Sequence, residues 1–356
     1  SPNLRKTKRL APPGRLHKNY AKKSLIGSWE KNTPEKAWNI NKNVELSRSV
    51  IMTADRRLNG LKLVSSVGGN TQIQQSRIRG NGEWLLLSVN TIISTGEGRN
   101  VLWDGYISGQ SGSLNLTSIN SPSGKLELCG TITDNNQEKT EINISSIGTF
   151  GTIEFSGINN NKFTGNVNIT GRQLLRLNKP WAISIPTNLI INSEGRAETL
   201  HSGQLSRKSR LLLRSGKGSL STFGFSGIHD RNIKEVIHQL FVEGTGKIDF
   251  GNSINHGTHY FYLDDLEIIY GSRLIIANWQ EGRDFLLVRK DSAHLHDSLN
   301  KISFEGGIDQ IELVDYDHDY YQISNTPEPT TYGTGLALAG LGTLGLRRKN
   351  RLKLGS

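Results

Sequence analysis

Short runs in which apolar and polar residues alternate recur along most of this chain. Ser113–Thr117 reads Ser-Leu-Asn-Leu-Thr, and Lys125–Cys129 reads Lys-Leu-Glu-Leu-Cys. Thr152–Ser156, Asn166–Thr170 and Lys247–Gly251 repeat the pattern. A period of two places the apolar side chains on one face of an extended segment and the polar ones on the other. The runs recur at intervals of roughly 10–30 residues with Gly, Asn and Ser between them, which predicts many short strands joined by turns. Strands this short are unstable singly, but stacking them coil upon coil buries a continuous apolar ladder. A β-sandwich also uses alternating strands. The long Asn/Gly/Ser tracts and an aromatic content of only 7% favour the solenoid. The expected fold is therefore all-β, an elongated right-handed parallel β-helix over residues 44–323.

Two segments depart from this rhythm. Between Asp230 and Leu240, Ile233, Val236, Ile237 and Leu240 stand at helical spacing, with Asp230 placed to cap. Between Ser292 and Ile302, Leu295, Leu299 and Ile302 do the same. Each predicts a short helix on the solenoid, although a strand running into Phe241-Val242 fits the first segment nearly as well.

Composition adds constraints. A chain of 356 residues can bury a sizeable core. One cysteine, Cys129, excludes an intrachain disulfide framework and a cysteine-rich zinc site. The formal charge of +11 is terminal in origin. Residues 1–23 carry eight cations and no acid, and five more cations follow Leu346, so the rest of the chain stands at −2. Residues 1–43 are expected to form a basic, disordered arm. Such an arm can touch nucleic acid or anionic lipid, but a solvated end is the commoner role, and nucleic acid is not the expected partner.

The last residues, 324–356, form a separate unit. Pro327-Glu328-Pro329-Thr330-Thr331-Tyr332 is followed by an uncharged run from Gly333 to Leu346 that holds Leu336, Leu338, Leu341, Leu344 and Leu346. Arg347, Arg348, Lys349 and Arg351 come next. The run is shorter than the roughly 20 residues of a relaxed helical span, but Thr330 to Tyr332 extend it and Tyr332 suits an interface. The basic cluster would stay cytoplasmic, which puts the body on the other side. Residues 1–25 contain no apolar stretch of 7–15 residues, so no secretory signal peptide is visible there, and a start further upstream is expected.

The order motif, apolar run, positive stop resembles the PEP-CTERM sorting signal of Gram-negative bacteria. The resemblance implies recognition and cleavage by an exosortase-type membrane transpeptidase, a short transmembrane sorting helix, and export to the cell surface or beyond. A second resemblance lies in residues 126–170. Gly151-Thr-Ile-Glu-Phe-Ser-Gly leads to Asn160-Asn-Lys-Phe-Thr-Gly and a further strand, similar to the autotransporter-associated β-strand repeat. Phe163 stands where that repeat usually has Tyr, and is expected to stack on the next coil. The order of segments over 244–332 is similar to the C-terminal part of PEP-CTERM proteins that carry such repeats.

Catalytic signatures are scarce. No Gly-x-Ser-x-Gly elbow, phosphate loop or His-Glu-x-x-His occurs. Asp315, Asp317 and Asp319 would share one strand face and could offer oxygens to Ca²⁺, but the spacing lacks the Gly and distal Glu of an EF-hand loop. Asp264-Asp265 and His256/His259 are weaker candidates. Trp29, Trp38, Trp84, Trp103, Trp181 and Trp279 could stack on sugars, though core packing is their usual role. The expectation is a non-enzymatic, cofactor-free surface protein with a structural or adhesive role. The alternative is a β-helix that binds or degrades polysaccharide.

Overall fold

In a computed structural model, residues 28–75, 83–120, 124–136, 138–145, 151–251, 257–306 and 311–325 are described. They form a parallel β-solenoid of about nine turns. One sheet has 16 strands and the other 11, and successive coils add one strand to each. The coil length varies: 22 residues separate Asn166 from Asn188, and 31 separate Asn59 from Asn90. Insertions therefore sit in turns while the strands keep register.

The inward positions build the ladder that the alternation predicts. In the larger sheet Val44, Leu61, Ile92, Leu116, Ile144, Ile169, Ile191, Leu213, Val242 and Ile268 face one another in sequence. In the smaller sheet Leu126, Ile153, Leu175, Ala197, Phe223, Ile248, Ile276 and Phe304 do so. All are buried. Each coil thus closes an apolar surface that its neighbours would otherwise expose to water, which is how short strands become stable.

The outward positions are polar and pair along the axis. Asn59 donates to Asn43 (2.8 Å), Asn90 to Asn59 (3.2 Å), Asn143 to Asn115 (3.2 Å) and Asn168 to Asn143 (3.2 Å). Asn115 joins the row through the Asn90 carbonyl at 3.0 Å. On the smaller sheet, Arg99 pairs with Glu127 (2.6 Å), Lys125 bridges Glu127 and Glu154 (3.2 and 2.9 Å), and Arg176 pairs with Glu198 (2.7 Å). Burial works against the charged form of Glu127. The Ser156 hydroxyl, Lys125 and Arg99 outweigh it and hold its carboxyl below the usual range.

A third, narrower strip lies between the end of each smaller-sheet strand and the main part of the larger sheet. The start of Leu86–Gly96 pairs with Tyr106–Ser108, which pairs with Thr131–Ile132. Thr133 bridges to Lys162, and Ile185 to Leu205. The strip continues in the first halves of Ile233–Glu243 and His259–Ile268 and then in Asp284–Arg289. The corner that leads into it turns through a left-handed residue in coil after coil: Asp104, Gly157, Trp181, Gly203, Gly251 and Asn278.

At the C-terminal end the direction reverses. Tyr320–Asn325 pairs antiparallel with Asp284–Arg289 on one side and with Ile311–Asp315 on the other. This hairpin covers the last parallel strand. Its turn is clamped by aromatic rings: Tyr320 meets Tyr262 edge-on at 5.0 Å, and Tyr316 lies 5.7 Å from Phe285, whose ring stacks on Tyr260 at 4.8 Å.

Three expectations are corrected. The segment at 230–240 is not helical, because Ile233–Glu243 is a strand of the larger sheet. The ordered coil begins ahead of residue 44. Glu30–Lys31 pairs with Val44–Glu45, and Trp38 is buried in the core, so residues 28–43 belong to the first coil. Asp315, Asp317 and Asp319 do not share a strand face. Asp315 ends a strand and pairs with Lys290 (2.7 Å), while Asp317 sits in the turn and accepts the amides of Asp319 and Tyr320. The second helical expectation fares better, since Leu295–Ser298 forms one α-helical turn that continues as a 3-10 turn over Leu299–Lys301.

Candidate functional site

Two kinds of candidate are placed by this fold: polar clusters within the body, and the root of the C-terminal tail. The corner into the third strip holds a buried polar chain that spans several coils. Lys179 is fully buried, and its Nζ donates to the carbonyls of Gly130 (3.0 Å), two coils back, and Ser156 (2.5 Å), one coil back. Burial pulls its pKa down to about 8. Gln204 exchanges hydrogen bonds with the Lys179 backbone, its side chain donating to the carbonyl (2.8 Å) and accepting the amide (2.9 Å). In the following coil the buried Glu235 carboxylate accepts the amides of Gln204 (2.9 Å) and Leu205 (3.1 Å) and the Thr199 hydroxyl (3.0 Å).

Burial pushes Glu235 up to about 7 despite these three donors. A carboxyl whose folded pKa is raised gives its full contribution below the unfolded value near 4.5 and loses it as pH rises through about 7. Stability should therefore fall by about 3 kcal/mol across this window, since each pKa unit corresponds to about 1.4 kcal/mol. Glu235→Gln should flatten the dependence. Urea midpoints at pH 4.5, 6 and 8 measure it, and equal slopes in both proteins would contradict the assignment.

A second cluster lies on the outer face of the larger sheet. Asp265, Glu267 and His294 bring ligand atoms within 4.8 Å of one another. Protein donors already occupy them. Gln239 donates to Asp265 (2.8 Å) and Glu267 (3.1 Å), Ser292 donates to Asp265 (2.5 Å), and His294 Nδ1 lies 2.7 Å from Asp265. Burial disfavours the Asp265 anion, but Ser292, His294 and Gln239 together hold its pKa below the usual range. The hydrogen bond to Asp265 raises His294. The group is an Asp265–His294 ion pair, with Glu267 tied to it through Gln239. Neither Glu235, Lys179 nor Glu267 stood out in the sequence. Glu235 had a signal, because it falls at an inward position between Ile233 and Ile237 once the segment is read as a strand.

The sequence candidates are scattered rather than assembled. His259 is buried beside Asp284 (3.4 Å), among core phenylalanines. Asp264 lies near His238 (3.7 Å), and His256 is outside the described residues. Trp38 is core, Trp279 packs on the core, and Trp181 is exposed at a turn. Among the tyrosines and Phe285 on the strip, ring faces and edges meet one another, which makes that group a clamp on the cap. Phe163 is fully buried.

Residues 327–351 of the tail, including Pro327 to Tyr332, Leu336 to Leu346 and the cations Arg347 to Arg351, lie outside the described residues. Among the described residues no helix is long and apolar enough to cross a membrane. What the structure places is the root. The final strand ends at Asn325, two residues before Pro327. The family model for the PEP-CTERM protein-sorting motif matches residues 325–351. No curated protein and no solved structure matches the chain. The motif implies processing by an exosortase and sorting to the cell surface.

Proposed function

We propose that the chain is a non-enzymatic surface rod with a structural or adhesive role, held in the inner membrane by Leu336–Leu346 until an exosortase cuts near Pro327-Glu328-Pro329. The carrying observation is the match over 325–351 starting on the last residue of the capped solenoid. Sorting motif and body thus adjoin with almost no linker. Support for a passive body comes from the outward amides and charges, which are engaged with one another along the axis. We also read residues 126–170 as coils akin to the autotransporter-associated β-strand repeat, on the motif residues alone.

Two prolines fix φ and withhold amide donors, so the motif should stay extended and open to the enzyme. Expressed behind a working signal peptide in a host with the sorting enzyme, the wild-type chain should shorten and leave the membrane fraction. Pro327→Ala with Pro329→Ala should insert but remain uncut. A wild-type product that stays full-length in the cytoplasm would overturn the reading.

A further inference from the structure

Three of the exposed large apolar residues among the described ones fall on a single corner of the solenoid. Ile158 is 72% exposed, Trp181 95% and Ile228 64%. Each sits in the turn that follows a smaller-sheet strand, after Gly151–Ser156, Gln173–Asn178 and Ser221–Phe225 respectively. The others are dispersed: Ile40 and Ile51 near the N-terminal end, Val67 and Tyr270 on the opposite corner, Val314 in the edge strand.

Trp181 is held there at a conformational cost. The Ala182 amide closes a β-turn onto the Lys179 carbonyl (3.1 Å), with Pro180 second and Trp181 third at φ +59. That third position normally takes Gly or Asn, and a bulky residue is an outlier there. Elsewhere along this corner the left-handed residue is Gly157, Gly203, Gly251, Asn278 or Asp104, types that tolerate that region. Gln204 fixes the turn from below by donating to the carbonyls of both Lys179 and Ala182 (2.8 and 3.2 Å). The indole is therefore presented rigidly and outward.

The charges around it are mainly positive, with Asp134 of the preceding coil accepting the Thr164 amide and hydroxyl. The turn and strip segments 157–166, 179–188, 200–209 and 226–234 contain one acid, Asp230, which lies 2.9 Å from His201. Against it stand the exposed cations Lys162, Arg207, Lys208, Arg231 and Lys234. The chain's exit lies on this same corner. Tyr320–Asn325 runs antiparallel to Asp284–Arg289, with Arg289 facing Tyr320 and Leu286 facing Ile323. Asn325 consequently returns to the end where Asp284 begins, the end reached from the turn after Arg273–Ala277. Trp181 lies about five strand spacings from it, roughly 24 Å along the axis.

We infer that this corner is an anionic-membrane contact, which lays the solenoid lengthwise on a phospholipid bilayer. An indole and two isoleucines enter the interface, where amphipathic and apolar side chains are favoured, and the cations meet lipid phosphate. The exposed corner stands independently of the tail. That its own bilayer is the surface it meets rests on the sorting reading above.

The test uses the full chain with Leu336, Leu338, Leu341, Leu344 and Leu346 replaced by Ser, so that the tail does not insert. Co-sedimentation is measured with vesicles of equal parts phosphatidylglycerol and phosphatidylcholine, and with phosphatidylcholine alone. Binding should require phosphatidylglycerol, weaken as salt rises, and drop about tenfold with Trp181→Gly, about the 1.4 kcal/mol step that one decade represents. Trp181→Gly relieves the turn, so its thermal midpoint should equal or exceed the parent's, which separates lost contact from lost fold. No binding, equal binding to both vesicles, or binding indifferent to Trp181→Gly would each overturn the inference. None of these results bears on cleavage at Pro327-Glu328-Pro329, which is read by product size.

Discussion

Phe225→Ala is expected to lower stability by about 3–5 kcal/mol, the range for emptying a buried aromatic site. Phe225 sits where the core changes character. Its ring stacks on Phe250 (5.1 Å) and His259 (5.5 Å) and meets Phe223 and Phe261 edge-on (5.8 and 5.5 Å). From Phe250 the contacts pass to Trp279 (5.4 Å), and from Trp279 to Phe304 (5.2 Å). These rings span the last coils and cannot close over a gap as single aliphatic side chains can. In a solenoid each coil is stabilised by its neighbours, so the damage should be local first. Hydrogen exchange should accelerate in Ser221–Phe225, Thr245–Asp249 and Arg273–Ala277 before it does in the N-terminal coils. A loss of unfolding free energy below about 1 kcal/mol would mean that the rings are loosely packed.

Lys179→Met should cost about 2–4 kcal/mol at pH 7, because the carbonyls of Gly130 and Ser156 lose their charged donor while the chain volume is kept. The pH dependence has a definite sign. A lysine whose folded pKa is depressed contributes fully above its unfolded value near 10.5 and loses that contribution as pH falls through about 8. Wild-type stability should thus climb between pH 8 and 10.5, and the Met variant should lack this climb. With Glu235 acting in the opposite direction below pH 7, the wild type should be least stable between about pH 7 and 8. A monotonic profile by chemical denaturation would disprove one of the two assignments.

Most of the body was legible because burial in a stacked coil demands strict alternation. Leu114/Leu116, Leu126/Leu128 and Val167/Ile169 are all inward as the period requires. The error at 230–240 has a physical source. Ile233 and Ile237 face inward on the third strip, but by Leu240 and Val242 the inward parity has changed as the strand enters the main sheet. A parity change inside one strand produces gaps of three and four that imitate a helix. The N-terminal boundary was misplaced because cations dominate residues 1–23, while Trp38 and the pairing of Glu30–Lys31 depend on a partner strand that local sequence does not reveal. Of the sites, the tail was readable from its order alone. Lys179 and Gln204 gave no signal, since their roles arise from carbonyls brought close only by stacking. In the sequence Trp181 is one tryptophan among six, for its distinction lies in a backbone angle.

The antiparallel cap also determines how the rod bears load. A pull on the tail is delivered to Asn325, and its component along Tyr320–Asn325 loads that strand lengthwise. That strand is flanked on both sides, by four paired positions on one and five on the other. Antiparallel hydrogen bonds lie across the strand, so tension along it shears them together instead of opening them one after another. The anchoring point is thus the part of the cap best arranged to resist traction, and a parallel coil peeled from its edge would yield sooner.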